Sequence, residues 1–350
     1  MLQIKKKWRV IAYVIIVLLL IYFFKPFSIG HRTDQNRSDS GNIVLALNHL
    51  FETTNASGDY LIKINEETYK KTFKGTNNAY PIASLSKHFT GFLLSKLISD
   101  SILHYHKALK EIDTIFKGGF QNITFGELIT HESGIKWNNP LLYSQYLFIN
   151  DDVSFKTMQF ILNHQFTKAS KEYEYSDYNY ALLWAVLDSF ITDMDSDLTH
   201  ILITAGMKST RYESLTHIYP ISGRGYYQFN KVKIPLPKWN VSLLKGASGL
   251  ISNSTDLYKW YQYLKLCFIR NPAFRKIYLP NEKEPHKNGL KYCMGSDGKE
   301  YYYYSGMVPG FSAFILMDFK NDLFVNYLIN LNYPAIHTDI NEYIVGLLCR

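Results

Sequence analysis

Residues 80–92 read YPIASLSKHFTGF, and the reading of this stretch decides the fold. Tyr80-Pro81-Ile82-Ala83 is short, apolar and strand-like, whereas Phe89, Phe92, Leu93 and Leu97 recur at helical spacing up to about Ile102. A helix opening at Ser84 puts positions i and i+3 on one face, so the Lys87 amine lies beside the Ser84 hydroxyl. The helix N-terminus favours negative charge developing there. A lysine buried in such a helix loses basicity and can take a proton from serine near neutral pH.

The flanking sequence extends this pattern. Ile43 to Glu52 reads as an amphipathic helix, and Asp59 to Asn65 and Thr68 to Phe73 as strands joined at Glu66-Glu67. Residues 104–215 are helix-rich with polar breaks. Ser252 to Asp256 is crowded with capping residues ahead of a helix over Leu257 to Cys267. After Lys287 the chain turns β-rich, over Tyr301–Tyr304, Gly310–Phe319 and Leu323–Asn330, before a helix over Asp339 to Leu348. Strands at both ends with helices between predict an α/β (α+β) fold: an antiparallel sheet from the N- and C-terminal segments, flanked by helices, with a helical insertion over roughly 104–215.

Composition narrows the function. With 350 residues, 47% hydrophobic and 19% charged, the chain can bury a large core and is not disordered. The net charge of +8 is unevenly placed, with Lys5, Lys6, Lys7, Arg9 and Lys25 in the first 30 residues and no acid among them. The rest carries 33 bases against 30 acids, which leaves no basic stripe for a nucleic-acid partner. Val10 to Phe24 is unbroken apolar sequence behind a basic flank. It reads as a single-pass membrane anchor, or as a cleaved signal peptide, although no small-x-small cleavage site follows. By the positive-inside rule residues 1–30 are a cytoplasmic basic end plus anchor, 31–42 a polar linker, and 43–350 an extracytoplasmic domain, periplasmic or at the cell surface. Cys267, Cys293 and Cys349 are too few and scattered for a disulfide scaffold, and no CxxC pair suggests zinc.

The Ser-x-x-Lys pattern occurs four times, at Ser84, Ser133, Ser242 and Ser296. Ser84 stands out by its strand–helix setting and by the segments that follow it: LITHESGI (128–135), YSDYNYALL (175–183), GASGLISNSTDLYKW (246–260) and YSGMVPGFSAF (304–314). In this order the segments resemble the serine β-lactamase-like superfamily, which includes class C β-lactamases, D-alanyl-D-alanine carboxypeptidases and related esterases. The resemblance covers roughly residues 43–335. It implies a β-lactamase/transpeptidase-like fold and an acyl-enzyme mechanism without metal or organic cofactor. Ser84 is then the nucleophile, Lys87 its proton partner, and Tyr175 the second acid–base group, its phenolate favoured by Lys87. The backbone N–H groups of Ser84 and Met307 form the oxyanion hole. Asp177, Tyr304, Ser305 and Gly306 contact substrate, which is a small molecule or cell-wall component.

Two positions depart from the family pattern: Asp177 stands where Asn is usual, and Tyr304 where Lys or His is usual. Both weaken recognition of a substrate carboxylate, and an ionised Asp177 raises the pKa of Lys87. The expected substrate is therefore an ester or amide that is neutral or carries an ammonium, such as a D-alanyl ester of a cell-wall polymer. A non-catalytic, penicillin-binding-like domain that binds cell-wall ligands or partner proteins is the alternative. Of the histidines, His131 reads as structural, His88 as a groove-wall or surface residue, and His104 and His106 as wrongly spaced for a metal. Asp177 doubles as a helix N-cap candidate. Tyr301 to Tyr304 read as a strand with rings alternating between core and cleft. No GxSxG, HExxH or phosphate-binding glycine loop is present. Oligomeric state is not legible.

Overall fold

The computed structural model of the chain describes residues 39–75, 79–113, 116, 120–135, 172–212, 224–229, 232–236, 244–332 and 337–349. The apolar stretch Val10–Phe24 and much of the middle region, 136–171, lie outside these residues. No described helix is long and apolar enough to cross a membrane.

Helix α1 (Asp39–Thr54) leads into the hairpin β1 (Gly58–Ile64) and β2 (Glu67–Phe73), which turns at Asn65, held at φ +51°. The turn falls one residue earlier than predicted because asparagine tolerates the left-handed region better than glutamate. Then follow β3 (Tyr80–Pro81), a 3₁₀ turn (Ala83–Ser86), α2 (Lys87–Ser99), α3 (Phe125–Ile129), α4 (Asp177–Phe190) and α5 (Met194–Thr204). Short strands β4 (Arg211–Tyr212), β5 (Tyr226–Phe229), β6 (Val232–Pro235) and β7 (Leu250–Ser252) precede α6 (Ser254–Arg270) and α7 (Pro272–Tyr278). The last part holds β8 (His286–Lys287), β9 (Leu290–Met294), β10 (Glu300–Val308), β11 (Phe311–Asp318), β12 (Leu323–Ile329), β13 (Leu331–Asn332) and α8 (Glu342–Leu348).

The main sheet is antiparallel with order β2-β1-β12-β11-β10-β9-β8, so the N-terminal hairpin joins strands from the C-terminal part, as predicted. Strands β11 and β12 are buried along their whole length, whereas β2, with two lysines and two exposed threonines, faces water at the edge. Charged side chains there discourage edge-to-edge pairing. Alternation sorts the strand residues into two cores. Phe314, Leu316, Val325 and Tyr327 pack with α1 and α8 on one face. Ala313, Ile315, Met317, Phe324 and Leu328 pack with the α2, α4 and α6 layer on the other.

Helix α2 is the centre of that second layer. It is buried from Lys87 to Ser95, polar positions included, as expected of a helix surrounded by protein. Trp260 of α6 packs on Phe89 and Phe92, with ring centroids 4.5 and 5.1 Å away. The Asn288-Gly289 turn between β8 and β9 presses on its other side. A Cβ on Gly289, which has φ +68°, would lie 2.6 Å from Lys87 Cβ, so only glycine permits this approach. Cys293 of β9 pairs with Cys349 just after α8, tying the C-terminal helix to the sheet, and Cys267 is free.

Candidate active site

The site forms where β3 runs into α2. Ser84 lies in the 3₁₀ turn, and the α-helix proper begins at Lys87, three residues later than the sequence suggested. In a 3₁₀ turn residues i and i+3 eclipse, which places Lys87 directly beside Ser84. Lys87 Nζ lies 3.0 Å from Ser84 Oγ. The residue before the serine, Ala83, has φ +50°, a strained conformation for alanine that costs about 1–3 kcal/mol and aims the hydroxyl at the cleft.

Tyr175 and Asp177 arrive from the N-terminal end of α4. Ser176, with extended backbone, is the N-cap residue, and Asp177 is the first helical residue rather than the cap. This frees its carboxylate for the site. Tyr175 OH is 2.7 Å from Ser84 Oγ and 3.0 Å from Lys87 Nζ, and it donates to Asp177 Oδ1 at 2.8 Å. Lys87 Nζ, fully buried, meets the same Oδ1 at 2.5 Å and also donates to the Ala247 carbonyl at 3.0 Å. The ammonium therefore has four oxygen neighbours for three N–H bonds.

Electrostatics follow from this packing. Burial pushes the Lys87 ammonium below the usual lysine range, and the Asp177 carboxylate pushes it back up. Tyr175 moves the other way. Its ring is 40% exposed to the cleft, but its hydroxyl is enclosed among protein groups. Burial and the Asp177 charge hold it well above the ordinary tyrosine range. This corrects the expected Tyr175 phenolate: the cationic effect of Lys87 is offset by the carboxylate that both groups touch, so Tyr175 rests as a neutral phenol.

Strand β10 forms the opposite wall. A Cβ on Gly306 would fall 2.3 Å from the Ile82 carbonyl oxygen and 2.9 Å from Ser84 N. Glycine thus lets the strand lie against the nucleophile turn, with Ser305 and Met307 on the cleft. Tyr304 also lines the cleft, yet is only 6% exposed, with its ring in the core beside His88. Alternation divides the tyrosine run, with Tyr302 and Tyr304 on the α2 side and Tyr301 and Tyr303 on the α8 side. Ser84, Tyr173, Tyr175, Asp177, Lys291, Tyr304, Ser305 and Met307 together enclose a cleft of about 330 Å³.

Several positions escaped the sequence reading. The GASG segment proves to supply an acceptor: Ala247 O receives Lys87, and Gly246 O receives Thr90 Oγ1 at 2.7 Å. Lys291 of β9 brings a cation into the cleft, and Tyr173 stacks on His286 at 4.2 Å at its rim. His88, expected on a groove wall or the surface, is 1% exposed, because α2 is covered on that side too; burial pushes it down to about 3. His131 is buried with its ring 4.7 Å from that of Tyr175. Its Nδ1 is 3.3 Å from Ser176 N and 3.1 Å from Asn179 Nδ2. Burial pushes it well below the usual histidine range, and it buttresses the Tyr175-Ser176 turn as a neutral ring. Of the other Ser-x-x-Lys serines, Ser133 bonds Asn179, Ser296 is on an exposed turn, and Ser242 lies outside the described residues.

Known proteins share this architecture. Protein flp of Staphylococcus aureus (strain MW2) is 26% identical over 315 residues, covering 80% of this chain and 59% of its own length. The chain thus spans about three-fifths of the length of this curated relative. The octameric penicillin-binding protein homologue from Pyrococcus abyssi superposes with a TM-score of 0.68 at 18% identity, over 89% of this chain and 77% of that one. A D-stereospecific amidohydrolase from Streptomyces sp. gives 0.66 at 17% identity, over 83% and 96%. At such identities these two structures speak for the fold. The family model described as Beta-lactamase matches residues 68–348, from β2 to the end of α8, and the chain belongs to the β-lactamase family of serine-hydrolase-type proteins.

Proposed function

We propose that this protein is an exported serine hydrolase that works through an acyl-enzyme on an ester or amide, with D-aminoacyl esters of the cell wall as the substrate class that fits best. The observation that carries the reading is the meeting of Ser84 Oγ with Tyr175 OH at 2.7 Å and Lys87 Nζ at 3.0 Å, on the cleft. The apolar Val10–Phe24 stretch supports export and anchoring in the membrane.

The hydrogen bonds suggest the course of the proton. Tyr175 donates to Asp177, so its oxygen is open to accept from the Ser84 hydroxyl. As Ser84 Oγ bonds to the substrate carbonyl carbon, its proton passes to Tyr175 and the phenolic proton passes to Asp177 Oδ1. Lys87 stays an ammonium that holds the three oxygens together. The backbone N–H groups of Ser84 and Met307 stabilise the oxyanion, at about a hundredfold in rate for each donor. Collapse expels the alcohol or amine, which takes the proton back through Tyr175, and water then repeats the sequence to release the acid.

Labelling with a fluorophosphonate and with a fluorescent penicillin, in the parent and in Ser84→Ala, tests this reading. Label on the parent alone is expected. No label on a demonstrably folded parent would favour the second reading, a binding domain without catalysis. Asp177 and Tyr304, the two departures from the family pattern, support that alternative.

A further inference from the structure

Lys291 is a half-buried cation with no hydrogen bond or ion pair to any described residue. Several other lysines drawn into the protein meet a carboxylate, as Lys87 meets Asp177 at 2.5 Å, Lys265 meets Asp322 at 2.7 Å and Lys287 meets Glu284 at 3.0 Å, while Lys233 donates to the Asn55 carbonyl at 2.6 Å. Covering an ammonium without pairing it is unfavourable, and burial accordingly pushes Lys291 below the usual lysine range, with the field of Glu342 opposing. Lys291 also lines the same cleft as Ser84, Tyr175 and Asp177. Strand pairing sets it opposite His286, whose ring stacks on Tyr173 at the rim, and His286 Nδ1 is buried without a partner. The charge therefore stands on the wall of the reaction cleft, in polar surroundings that no described residue completes.

We propose that Lys291 is the anion-recognising residue of this cleft, and that the substrate is an ester carrying a carboxylate or phosphate beyond the scissile bond. The proposal rests on the hydrolase reading and refines it. Tyr304 in place of a basic residue removes one cation from β10, and Lys291 supplies one from the adjacent strand β9. On the other wall, Asp177 Oδ1 is occupied by Lys87 and Tyr175, while Oδ2 has no described partner and is available to a donor on the acyl part. An acyl group bearing an ammonium, esterified to an anionic alcohol, matches both ends.

The test compares three D-alanyl esters that differ only in the alcohol: glycerol, the methyl phosphodiester of glycerol, and D-lactate. The parent should favour an anionic ester over the glycerol ester by about tenfold in kcat/KM, expressed in KM and weakened by added salt. A preference for the phosphodiester alone or for the lactate ester alone supports the assignment and identifies the anion. Lys291→Gln should erase the preference and leave the glycerol ester within about twofold, while Lys291→Arg keeps it. A preference that survives in Lys291→Gln, or an equal loss on the glycerol ester, overturns the proposal. Should the parent hydrolyse none of the three, the hydrolase reading on esters fails separately. Equilibrium titration with glycerol methyl phosphate then decides the anion site: about tenfold weaker binding to Lys291→Gln supports it, and unchanged or absent binding overturns it.

Discussion

Asp177→Asn separates two ways of moving the serine proton. Asparagine keeps the shape of the side chain and an oxygen that can accept from Lys87 and Tyr175, but it carries no charge and cannot take a proton. If Asp177 terminates the Ser84–Tyr175–Asp177 chain, the variant loses general-base assistance, about 10²–10⁴ in rate, or about 3–5 kcal/mol of barrier. The same change also removes the charge that holds Lys87 up. Burial holds Lys87 below the usual lysine range and the Asp177 charge opposes that, so Lys87 in the variant becomes neutral at a lower pH than in the parent. The assay is kcat/KM on a short-chain ester from pH 5.5 to 9.5, with folding followed by thermal melting. The expected outcome is a loss of at least about a hundredfold across the neutral range. A variant as fast as the parent or faster near pH 7, with its rise moved to lower pH, would refute the relay. It would make Lys87 the base and Asp177 only a brake on it.

Two further outcomes follow from close approaches and burial. Gly306→Ala should cut kcat about a hundredfold with a stability loss of about 1–3 kcal/mol, because its Cβ would meet the Ile82 carbonyl and Ser84 N and push β10 off the nucleophile turn; kinetics and a urea melt read both. Asp59, 4% exposed with Oδ1 unpartnered, has its carboxyl raised by burial to about 6. Because the folded state then holds a proton that the unfolded chain releases from about pH 4 upward, stability falls as pH rises from about 4 to about 6 and is flat beyond. Asp59→Asn should therefore gain about 3 kcal/mol at pH 7.5 and nothing at pH 3.5, measured by denaturant unfolding; an equal effect at both pH values would exclude the titration.

The local part of this architecture was legible from the chain. Helix α2, the β1–β2 hairpin and strands β10 to β12 follow from apolar spacing, and the closeness of Ser84 and Lys87 follows from their separation by one turn. Tyr175, 88 residues beyond Lys87, came into view only through resemblance, since no local rule joins them. The cleft wall was less visible still. Lys291 falls outside the β-rich segments read from the sequence, and Ala247 enters there only as part of the GASG segment. Their parts depend on which strand pairs with which, and on how closely a loop can press on α2.

Periodicity records which face of an element is buried, because burial of apolar surface acts residue by residue along a helix or strand. It does not record what stands across a gap. The charge states of Lys87 and Tyr175 arise from burial together with a single oxygen of Asp177 shared by both, and an unpaired Lys291 arises from the lack of any carboxylate beside it among the described residues. Such terms vary with distance and local dielectric in three dimensions, so composition and spacing outlined the fold and the Ser84–Lys87 pair, resemblance added Tyr175, and only the packed chain decided their protonation and what faces the substrate.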